Sequence, residues 1–211
     1  MRPYETDPAA IYAKSFATVQ AEARLDRFDA DMAGMATRLI HACGMVEIAD
    51  RLAHSPGAIG AGREALARGA AVLCDCEMVA AGVIRRHLPV ANEVVVTLND
   101  PRVPGRAAEI GNTRSAAAVE FWGERLPGAV VAIGNAPTAL FHLLELIDAG
   151  APPPALVLGF PVGFVGAAES KAELSRDPRG ADFVTLRGRR GGSAMAAAAV
   201  NALAAGLGTD A

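Results

Sequence analysis

A histidine occupies the polar side of a predicted helix over residues 29–43. With about 100° per residue, Met32, Met35 and Leu39 share one apolar stripe, whereas His41 falls roughly opposite to it. The core therefore does not need this imidazole. Histidine has an unperturbed pKa of about 6.5, so it donates and accepts protons near neutral pH. The position fits either an acid–base catalyst or a solvated surface histidine.

Arginine and glycine residues are concentrated in segments that follow predicted strands. The arginines of these segments are Arg102, Arg106, Arg114, Arg187, Arg189 and Arg190. Ligands of parallel sheets bind beyond the carboxyl ends of the strands, so these segments are candidate ligand contacts. Guanidinium groups and free backbone N–H groups bind carboxylates and phosphates well. The alternative interpretation is that the glycines and prolines only form tight turns.

The spacing of apolar residues changes near residue 70. The segments before this point are predicted helices, and those after it are alternating strands and helices. Before it, apolar residues recur with helical spacing over residues 7–22, 29–43 and 57–68. After it, short apolar runs alternate with amphipathic segments. The apolar runs predict strands at residues 70–75, 93–98, 129–134, 155–160 and 183–187. The amphipathic segments predict helices at residues 77–87, 113–125, 137–149, 167–176 and 193–207.

The order of these elements predicts the fold. Five strand-then-helix units, with strands that are apolar on both faces, favour a parallel sheet covered on both sides. We therefore predict an α/β fold: an open, mostly parallel five-stranded sheet with helices on both faces, preceded by N-terminal helices. No repeat, low-complexity linker or charge block marks a second domain, so residues 1–211 are expected to form a single domain.

The composition argues against several classes of protein. The net charge of −3 disfavours nucleic-acid binding, which usually needs a basic face. No uncharged apolar run reaches the roughly 18 residues of a membrane span, and the alanine-rich residues 193–205 are interrupted by Asn201. Three cysteines form no disulfide framework, which fits a reducing compartment. We expect a cytoplasmic protein without a nucleic-acid or membrane partner.

Metal and nucleotide motifs are missing from the sequence. Cys74 and Cys76 share one side of a strand end, but no second pair of Cys or His accompanies them at ligand spacing, so we expect no metal. The segment after the first predicted strand contains no glycine, so the dinucleotide fingerprint fails there. The phosphate-binding Gly-x-x-x-x-Gly-Lys-Ser/Thr run and the Gly-x-Ser-x-Gly hydrolase elbow do not occur either.

Six segments carry a family resemblance. They are Tyr12-x-x-Ser15-Phe16, RLIHACG at 38–44, CDCEMV at 74–79, GNTRSA at 111–116, GNAPTAL at 134–140 and GFPVGFVGAAESK at 159–171. Each segment alone is weakly specific. Together, and in this order over most of the chain, they resemble the precorrin-8X methylmutases of corrin-ring biosynthesis.

The resemblance implies an isomerase that moves a methyl group from C-11 to C-12 of precorrin-8x, a cobalt-free corrinoid, to give hydrogenobyrinate in cobalamin biosynthesis. It implies no redox chemistry and no added cofactor. His41 matches the family's catalytic histidine and is the expected proton donor and acceptor. The partners are then a corrinoid substrate and product, and the family usually forms homodimers. The alanine-rich C-terminal helix could supply the dimer surface or be buried within the subunit.

Further residues carry over from the resemblance. Ser15 and Arg38 match family substrate contacts, and Tyr12 shares the helical face of Ser15. Arg114 and Asn135 lie in segments expected to face carboxylates or side-chain amides.

Three more side chains have two interpretations each. Phe160 and Phe164 could lie against the flat macrocycle, and Lys171 could reach an acid group. Loop anchoring or solvation is an equal alternative for all three. Arg85 and Arg86 match no role in the family pattern.

Three alternative functions remain open on the sequence. The family includes enzymes that act on cobalt-precorrin-8, and the sequence separates the two substrates poorly. A non-catalytic corrinoid carrier would bind the product in the same way but would tolerate the loss of His41. A nucleotide-dependent oxidoreductase survives only as an analogy of fold.

Overall fold

The computed structural model describes Arg2 and residues 4–205. Its α-helices are α1 (Pro8–Glu22), α2 (Ala30–Cys43), α3 (Ala58–Ala67), α4 (Glu77–Gly82), α5 (Val103–Glu109), α6 (Arg114–Glu120), α7 (Pro137–Asp148), α8 (Ala167–Arg176) and α9 (Ser193–Ala204). Short 3₁₀ turns span Val46–Arg51, Arg85–His87 and Gly123–Arg125. The predicted end of the last helix, Leu207, lies outside the described residues.

The described residues contain one sheet. Its strands are β1 (Leu52–His54), β2 (Val72–Cys74), β3 (Val94–Val96), β4 (Val130–Ile133), β5 (Leu156–Gly159) and β6 (Asp182–Leu186). They lie in the order β1-β6-β5-β4-β2-β3. Strands β2 to β6 are parallel, and β1 pairs antiparallel with β6 at one edge. The predicted open, mostly parallel α/β sheet is confirmed, but the predicted count of five strands is too low by one.

Two elements are missing from the sequence prediction for physical reasons. Strand β1 has three residues, follows directly on a 3₁₀ turn and lies at the sheet edge, so it is too short to display a period of two. Helix α5 carries Pro104 and Gly105 in its first turn, where both residues resemble a loop. Two predicted helices are also shorter than expected, since α4 ends at Gly82 and α6 ends at Glu120.

The strands divide the core into two layers because alternate side chains point to opposite faces. Val72, Cys74 and Val130 contribute to a cluster with α2, α3, α4 and α9. Leu73 and Val131 contribute to a second cluster with α6, α7 and α8. Helices therefore cover both faces, as predicted.

Helix α9 is a buried element of the first layer. Its buried residues are Ser193, Met195, Ala196, Ala197, Ala199, Val200, Ala202, Leu203 and Ala204. It packs against both α2 and α4, and this shared packing places the end of α4 close to His41. Of the two roles left open for this helix, the structure supports burial within the subunit. No helix among the described residues is long and apolar enough to cross a membrane.

Candidate functional site

His41 lies in the last turn of α2, where three side chains of α1 surround its exposed ring. The hydroxyl of Ser15 lies 2.8 Å from Nδ1 of His41. The ring of Tyr12 stacks on the imidazole at 5.4 Å between centroids and 29° between planes. Phe16 meets the imidazole edge-on at 5.3 Å and 90°. Positions 12, 15 and 16 share one helical face, so α1 presents all three side chains to His41.

Local caps define the ends of the two helices that carry these residues. The carboxylate of Asp7 accepts a hydrogen bond from the N–H of Ala9 at the start of α1. Asp29 caps α2 in the same way through the N–H of Met32. Gly44 ends α2 with a φ of 70°, a conformation that glycine adopts without strain. Both helices therefore have defined starts, and α2 ends at Cys43, two residues after His41.

Arg38 adds a positive charge one helical turn before His41. Its guanidinium lies 5.6 Å from the centroid of the Phe16 ring, a cation–π contact. No ion pair of the part of the chain that the structure describes includes Arg38. The guanidinium is therefore free to pair with a carboxylate of a ligand.

A cavity of about 310 Å³ opens beside these residues. Tyr12 of α1 and Arg38, His41 and Ala42 of α2 line one part of it. The remaining lining comes from α9 and from the end of α4 and the residues after it: Gly82, Ile84, Ala194, Ala197, Ala198 and Asn201. The small side chains leave a smooth wall that suits a flat, mostly apolar ligand surface.

Asn201 ties the two sides of this wall together. Its Oδ1 accepts a hydrogen bond of 2.8 Å from the N–H of Ile84, and its Nδ2 donates one of 2.9 Å to the carbonyl of Gly82. A Cβ placed on Gly82 would lie 2.6 Å from the Cβ of Ala197, so α4 and α9 meet closely at that glycine. In the sequence, Asn201 is recognisable only as an interruption of an apolar helix. A polar residue inside such a helix is the signal that it bonds to neighbouring backbone.

Of the nine residues that the family resemblance suggests for the site, the structure brings four together: Tyr12, Ser15, Arg38 and His41. Arg114 and Asn135 are exposed and lie outside the lining of this cavity. Arg114 donates a hydrogen bond of 3.2 Å to the carbonyl of Leu98, beyond the end of β3. Asn135 follows β4, so both residues do lie at the carboxyl edge of the sheet.

Phe160 and Lys171 are completely buried. Phe160 packs in the core layer that contains α2 and α9. The amine of Lys171 donates to the backbone carbonyl of Arg190 and thereby joins the segments after β5 and β6. Burial lowers the pKa of Lys171 to about 8. For both residues the structure favours loop anchoring over contact with a ligand, while Phe164 is 86% exposed.

Asp75 is a buried carboxylate directly after β2 that no sequence motif marks as functional. It accepts hydrogen bonds of 2.8 to 2.9 Å from the N–H groups of Gly134, Asn135 and Ala136. Burial raises the pKa of Asp75, and the three N–H groups oppose that rise. The carboxylate thus fixes the loop that leads into α7. Among the described residues, no three His, Cys, Asp or Glu side chains lie close enough to hold a metal ion.

The arrangement around His41 is suited to proton transfer. Ser15 occupies Nδ1, so Nε2 is the ring nitrogen that remains for a ligand in the cavity. A hydroxyl at Nδ1 can donate or accept a hydrogen bond, so it serves both the neutral and the protonated imidazole. The stacked and edge-on aromatic rings restrict rotation of the imidazole. The site can therefore hold and release one proton at a fixed position.

Comparisons with known proteins find close relatives of the whole chain. The family model described as precorrin-8X methylmutase matches residues 10–205. A precorrin-8X methylmutase of Pseudomonas aeruginosa is 65% identical and covers 97% of this chain and 98% of its own length. A cobalt-precorrin-8 methylmutase of Priestia megaterium is 36% identical and covers 96% of this chain and 89% of its own. A crystal structure of precorrin-8x methyl mutase from Thermus thermophilus has a TM-score of 0.83 and 41% identity, and covers 93% of this chain and 94% of that one.

Proposed function

Because the chain belongs to the precorrin-8X methylmutase family, we propose that it is an isomerase that moves a methyl group from C-11 to C-12 of precorrin-8x and yields hydrogenobyrinate. The observation that carries the proposal is the hydrogen bond between Ser15 and His41 at the wall of a cavity. It leaves one nitrogen of a positioned imidazole for the substrate. The reaction belongs to cobalamin biosynthesis.

The reaction needs a proton but consumes none. The carbon–carbon bond at C-11 breaks as the bond at C-12 forms, which is a 1,5-sigmatropic shift. Protonation of a ring nitrogen by His41 polarises the conjugated system, and the same imidazole takes the proton back when the shift is complete. General acid catalysis of this kind contributes a factor of about 10² to 10⁴. Binding and preorganisation of the macrocycle supply the remaining acceleration.

The neighbours of His41 hold the substrate in this scheme. Arg38 pairs with a peripheral carboxylate of the corrinoid, and Tyr12 presents an exposed ring beside the imidazole. Ser15 positions the imidazole and, from the family resemblance, also contacts the substrate. Arg114 and Asn135 belong to this scheme only as outer contacts at the carboxyl edge of the sheet, since neither lines the cavity.

The cobalt-free form is the proposed substrate. The 65% identity to the Pseudomonas aeruginosa precorrin-8X methylmutase, against 36% to the Priestia megaterium cobalt-precorrin-8 methylmutase, supports this choice. The scheme uses no added cofactor, because the 1,5-shift breaks and forms bonds within the substrate and needs only the proton that His41 donates and takes back.

We further propose a cytoplasmic homodimer. Cys43, Cys74 and Cys76 carry free thiols, which suits a reducing compartment. Phe164 and Val165 are 86% and 87% exposed in the loop between β5 and α8, and adjacent exposed apolar side chains of this size are typical of protein interfaces. Light scattering of the purified protein, compared with its Phe164→Glu variant, tests the dimer, which the variant should weaken.

Absorption spectroscopy tests the function. Purified protein is incubated separately with precorrin-8x and cobalt-precorrin-8, and the orange hydrogenobyrinate chromophore is followed in the first sample. The proposal predicts faster turnover of precorrin-8x. Faster turnover of cobalt-precorrin-8 would reassign the substrate, and stoichiometric binding without turnover of either compound would identify a carrier.

A further inference from the structure

Arg85 and Arg86 stand next to the His41 cavity with no function assigned to them. They form the 3₁₀ turn Arg85–His87, three residues after the end of α4. Both are exposed. Within residues 4–205, no ion pair and no side-chain hydrogen bond of the structure involves either guanidinium. Two unpaired positive charges at adjacent positions on an acidic protein mark this turn as a place for an anion.

A second cavity of about 630 Å³ lies at this turn. Its lining residues are Glu77, Ala80, Ala81, Val83, Ile84, Arg85 and Arg86. Ile84 also lines the His41 cavity, so the two cavities share a wall. The side chain of Glu77 is the only acidic group in that lining, and it accepts a hydrogen bond of 3.4 Å from Asn99. Two guanidinium groups against one carboxylate leave the second cavity positive.

Asn201 fixes the turn relative to His41. Its side chain lines the His41 cavity and bonds to the backbone of Gly82 and Ile84, directly before Arg85. The close contact between Gly82 and Ala197 holds the same segment against α9. A rigid connection of this kind favours a ligand that contacts both His41 and the turn at Arg85, because the distance between the two contacts is set before binding.

The proposed substrate is too large for the His41 cavity alone and requires a second binding region. Ligand cavities commonly measure about 300 to 1,000 Å³, so the 310 Å³ beside His41 lies at the small end of that range. A corrinoid precursor is a macrocycle of four linked rings with several acetate and propionate arms. The His41 cavity can hold one edge of the macrocycle, and its acid arms must then extend into neighbouring space.

We infer that Arg85 and Arg86 form a carboxylate-binding subsite, which holds acid arms of the corrinoid while the ring edge to be protonated lies at His41. The inference rests on the proposed function for the identity of the ligand. Guanidinium groups bind carboxylates through two parallel hydrogen bonds, so each arginine can fix one arm in both position and direction. The subsite thereby adds binding energy to substrate and product alike, while the cavity around His41 orients the reacting edge of the macrocycle.

Replacement of both arginines tests the subsite. The variant Arg85→Gln/Arg86→Gln should raise KM for precorrin-8x and the dissociation constant for hydrogenobyrinate by about tenfold to a hundredfold, since a charge-assisted hydrogen bond contributes about 1.5–3 kcal/mol. Its kcat at saturating substrate should stay within about threefold of wild type. Both side chains are exposed, so the variant is expected to fold.

Two further variants serve as controls. Arg85→Lys/Arg86→Lys keeps both charges but loses the planar fork, and it should recover part of the affinity. Arg176→Gln removes an exposed arginine from α8, which packs with the other layer of the core, and it should leave KM and kcat unchanged. The binding of a fully amidated hydrogenobyrinate, which lacks the carboxylates, should be the same in wild type and in Arg85→Gln/Arg86→Gln.

The outcomes distinguish a failure of the proposed Arg85/Arg86 subsite from a failure of the proposed methylmutase activity. If wild type converts precorrin-8x and the double glutamine variant has the same KM and product affinity, the subsite is overturned and the function stands. If wild type binds hydrogenobyrinate without converting precorrin-8x, the proposed function is overturned. The tenfold loss of product affinity in the variant would then still support the subsite. A wild-type protein that neither converts nor binds a corrinoid would overturn both.

Discussion

The hydroxyl of Ser15 lies 2.8 Å from Nδ1 of His41, although the two residues are 26 positions apart and belong to different helices. This contact connects α1, the first helix along the chain, to the imidazole that faces the cavity. A ring nitrogen that is held by a hydroxyl fixes the orientation of the ring and assigns the other nitrogen to the ligand. Under the proposed function, this contact makes α1 part of the proton-transfer site.

Replacement of Ser15 separates its two possible roles. Ser15→Ala should lower kcat about tenfold, because the lost hydrogen bond is worth about 1–1.5 kcal/mol and orients the imidazole, and it should also raise KM, because the same hydroxyl contacts the substrate. Ser15→Thr keeps the hydroxyl and should recover most of kcat. Steady-state kinetics across pH 5–9 measure both. A raised KM with unchanged kcat would instead identify Ser15 as a substrate contact alone.

Loss of the Asp75 carboxylate should destabilise the fold. Asp75→Ala leaves the N–H groups of Gly134, Asn135 and Ala136 without their acceptor, and we expect the free energy of unfolding to fall by about 3 kcal/mol. Asp75→Asn keeps one acceptor oxygen and should lose about half as much. Urea denaturation measures the change, with exposed Asp26→Ala as the control. A loss below about 1 kcal/mol for Asp75→Ala would contradict the anchoring role.

Two glycines offer a matched pair for the packing of α4 on α9. Gly82→Ala places a Cβ 2.6 Å from the Cβ of Ala197 and should destabilise the protein by about 1–3 kcal/mol. Gly60 lies inside α3 with no atom within 4 Å of an added Cβ, so Gly60→Ala should stabilise it by about 0.5–1 kcal/mol. Thermal or urea unfolding compares the two. Equal effects would show that α4 and α9 can separate freely.

The burial of Lys171 predicts that the free energy of unfolding rises at alkaline pH. Its pKa is about 8 in the folded protein, against an ordinary value of 10.5, because burial disfavours the charged amine. Below pH 8 the Lys171 amine is protonated in both the folded and the unfolded protein, so the folded protein is destabilised by the full cost of burying the charge. Between pH 8 and 10.5 the unfolded state retains the proton that the folded state has lost, so the free energy of unfolding increases by up to about 3 kcal/mol.

The variant Lys171→Met tests this dependence. It should remove the increase between pH 8 and 10.5, whereas Lys14→Met, at an exposed position of α1, should keep it. Urea denaturation at several pH values gives both curves. The same slope in wild type and Lys171→Met would mean that another group titrates in this range.

The regular elements of the fold were predictable because their patterns are long and local. The five parallel strands and all the helices between them except α5 follow from runs and periods of apolar residues, and the candidate site residues of α1 and α2 follow from helical spacing together with the family segments. Strand β1 was not predictable, because three edge residues carry no measurable period. Its place depends on pairing with β6, which lies more than 100 residues further along the chain.

The composition of the site was only partly predictable for a related reason. Tyr12, Ser15, Arg38 and His41 are local to two helices, and they do meet. The cavity wall formed by Gly82, Ile84 and α9 depends on how distant helices cross, which one sequence does not reveal. The burial of Phe160 and Lys171 depends on the same packing, so their segment resembles a binding loop in the sequence although both side chains point inward.

The most direct test of the account is single-turnover conversion of precorrin-8x by wild type and by His41→Ala, followed by the absorption spectrum of hydrogenobyrinate. We expect His41→Ala to bind hydrogenobyrinate within a few-fold of wild-type affinity and to convert the substrate about 10² to 10⁴ times more slowly. Conversion by His41→Ala at the wild-type rate would contradict the account, because the proton would then come from another group.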